Sequence, residues 1–216
     1  MLDKNHYIKL LKEAFSEDFF LEIEELKVEY CKELYELLEQ EKIELGGNVF
    51  KGLKKIKVSY VEWDDENTMA SYEPNEKILK INGRYYGEKA DKGKELCDEN
   101  QQKLVDRRFD ILVTHELWHY YVREYNLIGN TEWDEVKMIY INNKDYILGF
   151  FKFINSYSEE RRLEEFIVET FAYLKAGVLY NKIKSIKYIK KFKLVEGIFD
   201  LYKKHINYNL EELKYE

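Results

Sequence analysis

Two of the chain's four histidines stand four residues apart in the stretch DILVTHELWHYYVREY, Asp110 to Tyr125, with a glutamate between them. His115-Glu116-Leu117-Trp118-His119 is an HExxH motif. On an α-helix, residues i and i+4 share a face one turn apart, so both imidazoles can reach one ion from the same side. Imidazole nitrogen is a zinc ligand, and the glutamate one step round the helix can reach the water that completes the shell. The chemistry this points to is hydrolysis at a carbonyl. Zinc acidifies the water, and Glu116 accepts its proton as general base. In a chain so poor in histidine, an HExxH arises by chance at about the one-per-cent level. We therefore read it as a site for one Zn2+ per chain, held by His115 and His119.

Two histidines and a water leave a tetrahedral zinc one ligand short. His6 and His205, near the two ends, are poor candidates for the third. Carboxylates are better placed, in LEEFIVETFAY, Leu163 to Tyr173. There Glu165 and Glu169 are spaced i, i+4 and share a face, while Glu164 is turned about 100° away. The helical wheel alone does not choose among them. Leu163, Phe166, Ile167, Thr170, Phe171 and Leu174 form the main apolar stripe, and Glu165 lies nearly opposite, where a solvated glutamate is as natural as a ligand.

HELWH followed by EFIVETFAY resembles the gluzincins, zinc peptidases in which a glutamate on a second helix completes HExxH. EFIVETF is similar to the E-(F/Y)-F-A-E-(A/T)-F element of the anthrax lethal factor catalytic domain and the clostridial Pro-Pro endopeptidases. A looser likeness runs to the ImmA/IrrE peptidases. The resemblance covers Lys55 to Ala176 and leaves the first helices and the C-terminal tail outside it. It implies an α+β, zincin-like fold, mostly helical, in which a small mixed β-sheet accompanies an active-site helix and a second helix with the glutamate ligand. It makes Glu165 the third metal ligand, Glu169 a supporting residue behind it, and Tyr157 the group that stabilises the oxyanion. The family's tyrosine falls seven residues before the ligand glutamate, which here is Ser158, so Tyr157 is one residue out of step. Trp118 also departs from the small residue common at its position, and its indole must find room in the core. In such peptidases an edge strand pairs with extended substrate. The likeness gives that role to Lys77, Ile78, Leu79, Lys80 and Ile81, although an ordinary amphipathic hairpin explains their pattern equally well.

The elements that must position these residues follow from periodicity. From about Tyr7 to Glu44, Phe19, Ile23, Leu26, Tyr30 and Leu34 recur at three- and four-residue steps, which predicts an amphipathic helix after a shorter one, with a break near Ser16 to Asp18. Gly46-Gly47-Asn48 ends it. KKIKVSYVEW alternates and is rich in β-branched and aromatic residues, so it predicts a strand. TMASYEPNEKILKIN predicts two short strands around Pro74-Asn75-Glu76. A second long helix is expected from about Asn100 to Tyr125, closed by Gly129-Asn130. A partly helical excursion follows, then a third helix over SEERRLEEFIVETFAYLKAG and one or two more to Glu216.

Composition bounds the rest. The chain has 216 residues, 45% of them apolar, with one proline and ten glycines. This is a globular composition with few linkers, read as a single metallopeptidase domain: an N-terminal helical part (1–48), a catalytic core (55–176) and C-terminal helices (177–216). A net charge of −7 argues against nucleic acid as a partner. The lysine-rich NKIKSIKYIKKFK reads as a solvated helix face. Cys31 and Cys97 form no CxxC pair and no disulfide framework, and read as buried or half-buried thiols. No apolar run is long enough to span a bilayer, and none forms a signal-peptide core. The default compartment is the cytoplasm, with secretion by another route as the alternative. The expected activity is hydrolysis of a peptide bond in an extended protein or peptide. The alternatives are a regulatory peptidase of the ImmA/IrrE type that cuts one intracellular protein, and a catalytically weak zinc-binding module for partner recognition.

Overall fold

The computed structural model describes residues 3–15, 19–45, 49–61, 63, 68–90, 108–129, 131–145, 148 and 156–175. Among them are six α-helices and four strands, a mixed α+β and mostly helical architecture. The expected helix end at 46–48, the helix start at 100–107, Cys97, Asn130, the lysine-rich run and the C-terminal helices lie outside the described residues. The chain falls into two compact units, Met1–Tyr120 and Tyr121–Glu216.

In the first unit, Asp3 caps helix α1 (Lys4–Ala14) by accepting the His6 N–H at 2.9 Å. Ile8 and Leu11 are buried on it. Helix α1 packs on α2 (Val28–Leu45), which buries Cys31, Leu34 and Leu38. Burial pushes the Cys31 thiol up to about 11, as expected of an inert buried cysteine.

Between these helices the structure corrects the predicted single helix. Phe20–Glu22 is a strand, β1, and α2 does not begin until Val28. Leu21, Ile23 and Leu26 are buried, a spacing that fits a strand followed by a turn as well as a helix. No glycine or proline between 19 and 27 marks the change. What decides it is pairing with a distant strand, parallel to β2 (Lys55–Ser59) with Leu21 opposite Ile56.

The hairpin of β3 (Ala70–Glu73) and β4 (Ile78–Asn82) forms as predicted around residues 74–77. The sheet order is β1-β2-β4-β3, with β4 parallel to β2 and antiparallel to β3. This overturns the expectation of an edge strand at Lys77, Ile78, Leu79, Lys80 and Ile81. Strand β4 is bonded on both sides and buried along its whole length, so its backbone is already committed. Lys80 is buried there through an ion pair with Glu73. Asn82 accepts the Arg84 N–H at 3.0 Å and so caps the one-turn helix α3 (Gly83–Tyr86).

Helix α4 (Phe109–Glu124) begins in the first unit and makes its last turn in the second. Its Tyr120 is fully buried. The hydroxyl donates to the Val49 carbonyl at 3.2 Å and accepts the Gly52 N–H at 3.0 Å, which ties the loop before β2 to the helix. Tyr120→Phe is expected to lower stability by about 1–3 kcal/mol, because it leaves both backbone groups without this partner. Denaturant unfolding with an unchanged m-value is the measurement. Helix α4 ends earlier than Gly129-Asn130. Asn126 adopts φ 47°, its N–H bonds the Arg123 carbonyl at 3.2 Å, and the Leu127 N–H bonds the Val122 carbonyl at 2.9 Å. That is a Schellman stop with asparagine in the left-handed position.

The second unit continues through a 3-10 turn (Thr131–Trp133), helix α5 (Asp134–Asn142) and helix α6 (Glu159–Lys175). Helices α5 and α6 pack together, with the rings of Tyr140 and Phe166 5.5 Å apart. Arg123 grips Glu164 in a two-point contact of 2.8 and 3.1 Å, which fastens α6 to the last turn of α4. The Glu164 side chain is 12% exposed and that of Arg123 47%. Removing Arg123 takes a two-point charged partner from a buried carboxylate, whereas removing Glu164 leaves a cation that water can reach. Arg123→Ala is expected to cost up to about 3 kcal/mol and Glu164→Ala less, both without loss of zinc affinity. Paired denaturation curves and zinc titrations check the order.

Candidate metal centre

Helix α4 is buried on nearly every side. Between Ile111 and Val122, only Leu112, His115, Glu116 and His119 are other than buried, a stripe at i, i+3, i+4 and i+7. His115, Glu116 and His119 therefore share the one partly accessible strip of the helix. Leu117 and Trp118, the two spacer residues, are fully buried, so the indole does lie in the core.

The two imidazoles converge. Their Nε2 atoms are 3.1 Å apart, and the rings meet edge to face with centroids at 4.8 Å. Two nitrogens on one tetrahedral zinc, each about 2.0–2.1 Å from it, stand about 3.3 Å apart, which the helical spacing nearly supplies. The ligand atoms of His115, His119 and Glu165 all lie within 4.8 Å of one another, so these three could hold a metal ion. A donor set of two imidazoles and one carboxylate suits zinc without identifying it.

Glu165 is 3% exposed, which removes the solvated reading that the wheel left open. The wheel fails because α6 has no solvent side here: every residue from Glu164 to Val168 is buried, as are Thr170 and Ala172. Burial of a carboxylate is costly unless a cation or hydrogen-bond donors face it. One partner is Arg161, whose Nε lies 3.5 Å from Glu165 Oε1. The Arg161 guanidinium is stacked on the Tyr157 ring at 4.3 Å from its centroid. Arg161 and Glu165 thus stand one turn apart on α6, and Tyr157, two residues before the helix begins, stacks on the first of them. Sequence reasoning missed Arg161, though its i, i+4 spacing from Glu165 was a usable signal. Glu164, turned about 100° from Glu165 on the wheel, is the partner of Arg123. Glu169, one turn beyond Glu165, is half-buried and is not one of the three grouped ligands.

Glu116 is held from outside its own helix. Its Oε2 accepts the main-chain N–H of Tyr72, on β3, at 2.7 Å. Its Oε1 is 4.0 Å from His115 Nε2. No sequence signal could have shown the first contact, because the donor is backbone. The Tyr72 ring also meets the Tyr120 ring edge to face at 5.8 Å, so β3 touches α4 at two positions one turn apart.

No family model, curated protein or solved structure matches the chain. Among the described residues, no helix is long and apolar enough to cross a membrane.

Proposed function

We propose that this chain is a zinc-dependent endopeptidase of the gluzincin type with a zincin-like core. The observation that carries this reading is the grouping of His115, His119 and Glu165 within 4.8 Å of one another, with a Glu116 oxygen 4.0 Å from His115 Nε2. A metal site alone would need the ligands but not that fourth group.

When bound, zinc supplies Lewis acidity that acidifies a water and polarises a carbonyl oxygen. The residues do the rest. Glu116 takes the proton of the attacking water at Oε1 and passes it to the leaving nitrogen as the carbon–nitrogen bond breaks, so one water is added across the bond. Glu165 is ligand and Glu169 its proposed support. Tyr157 is the proposed oxyanion group, stacked against Arg161 just before α6 begins. The substrate is an extended protein or peptide. Its docking edge passes from β4 to β3, the outer strand nearest Glu116.

The test is zinc stoichiometry by mass spectrometry, together with a cleavage profile on a peptide library with Glu116→Gln as the blank. One zinc per chain and cleavage absent from the blank support the reading. Zinc with no cleavage of any peptide or denatured protein would favour the partner-binding module. Refusal of zinc at neutral pH would end both.

A further inference from the structure

The contact between Glu116 and the edge strand carries more than the location of a base. The register pairs Ala70 with Ile81 and Tyr72 with Leu79, and the Asn82 N–H bonds the Met69 carbonyl at 2.8 Å. In an antiparallel ladder, bonded and unbonded pairs alternate. Met69/Asn82 is a bonded pair, so Ser71/Lys80 and Glu73/Ile78 are bonded too, while Ala70 and Tyr72 turn their N–H and C=O groups outward. The outward N–H of Tyr72 is the one that meets Glu116.

The geometry points to the main-chain N–H of Tyr72 as the positioning group for Glu116, fixing Oε2 on the sheet edge so that Oε1 stays beside His115. This rests on the reading of Glu116 as the general base. A glutamate side chain has three rotatable bonds before its carboxylate, and a base must be held near the proton it takes. An anchor at 2.7 Å on one oxygen leaves the other as the proton acceptor. The same contact sets the docking register. A substrate strand on β3 meets the Tyr72 N–H already engaged, so it pairs through the outward groups of Ala70 and the Tyr72 carbonyl. The carboxylate marks where pairing stops.

Two measurements on the full chain test this. The first needs no activity. By NMR-detected hydrogen exchange, the Tyr72 amide is expected to be protected in the wild-type protein and deprotected at least about tenfold by Glu116→Ala. The Ala70 amide should change little, and Tyr72→Ala should keep the protection at position 72. Equal exchange of the Tyr72 amide in wild type and Glu116→Ala would overturn the contact. The second replaces Tyr72 by its α-hydroxy analogue, which turns one amide into an ester and removes only the donor. The ester protein should retain zinc and lose about 10²-fold in kcat with KM little changed. In a Glu116→Gln background the ester should cost nothing further. Wild-type kcat in the ester protein, or an equal loss in both backgrounds, would assign Tyr72 to the scaffold. A wild-type protein that binds zinc but hydrolyses nothing would sink the peptidase reading by itself, and the exchange result would still decide the contact.

Discussion

Glu116→Gln is expected to lower peptide hydrolysis by about 10²–10⁴-fold while the protein keeps its zinc. Glutamine preserves the length of the side chain and its fit in the strip between His115 and His119. Its amide oxygen can still accept the Tyr72 N–H, so the fold around β3 is undisturbed. What is lost is the oxygen able to take a proton at neutral pH. Measuring kcat/KM beside metal content separates this outcome from a folding defect. A Glu116→Gln protein as active as the parent would demand another base and defeat the mechanism.

The second large effect is on the metal. His115→Ala, His119→Ala and Glu165→Ala each leave two protein ligands, so each should lose stoichiometric zinc at neutral pH and all hydrolysis with it. The loss in affinity should exceed the roughly 10–100-fold that a supporting partner, the role proposed for Glu169, is worth. Glu165→Gln is the useful companion, because it keeps volume in a buried position while removing the charge that faces Arg161. Zinc affinity equal to wild type in Glu165→Ala would dismiss Glu165 as ligand and leave the histidine pair standing. Competition with a chromophoric chelator gives the affinities.

The parts of this molecule that local pattern controls could be read from its residues. The hairpin around Pro74 follows from alternation and a turn signal, and helix α4 lies within the stretch predicted as helical. The histidine pair follows from the four-residue repeat of the helix itself. Failures came where distant parts of the chain decide. Phe20–Glu22 is a strand because β2 lies beside it. Strand β4 is interior because β1 and β2 enter the sheet on its far side, an order that no hairpin signal encodes. Glu165 defied its wheel because α6 is buried on every side from Glu164 to Val168 and has no solvent face there to predict. The Arg123–Glu164 clasp joins residues 41 apart in sequence, and the anchor of Glu116 is a backbone group with no residue identity to read.

The outward amide at Tyr72 has a further consequence, for solubility. A strand at the end of a sheet offers its unpaired backbone to any other strand, and proteins keep such edges short or covered to avoid stacking edge to edge. Here β3 is four residues long, and one of its outward donors is engaged by the carboxylate of Glu116. The residue assigned to chemistry therefore also guards an edge against self-association. An inactive form meant for trapping substrate is better made with glutamine at position 116 than with alanine. Glutamine silences the base and still shields the strand, whereas alanine would expose a backbone donor to the next molecule in a concentrated sample.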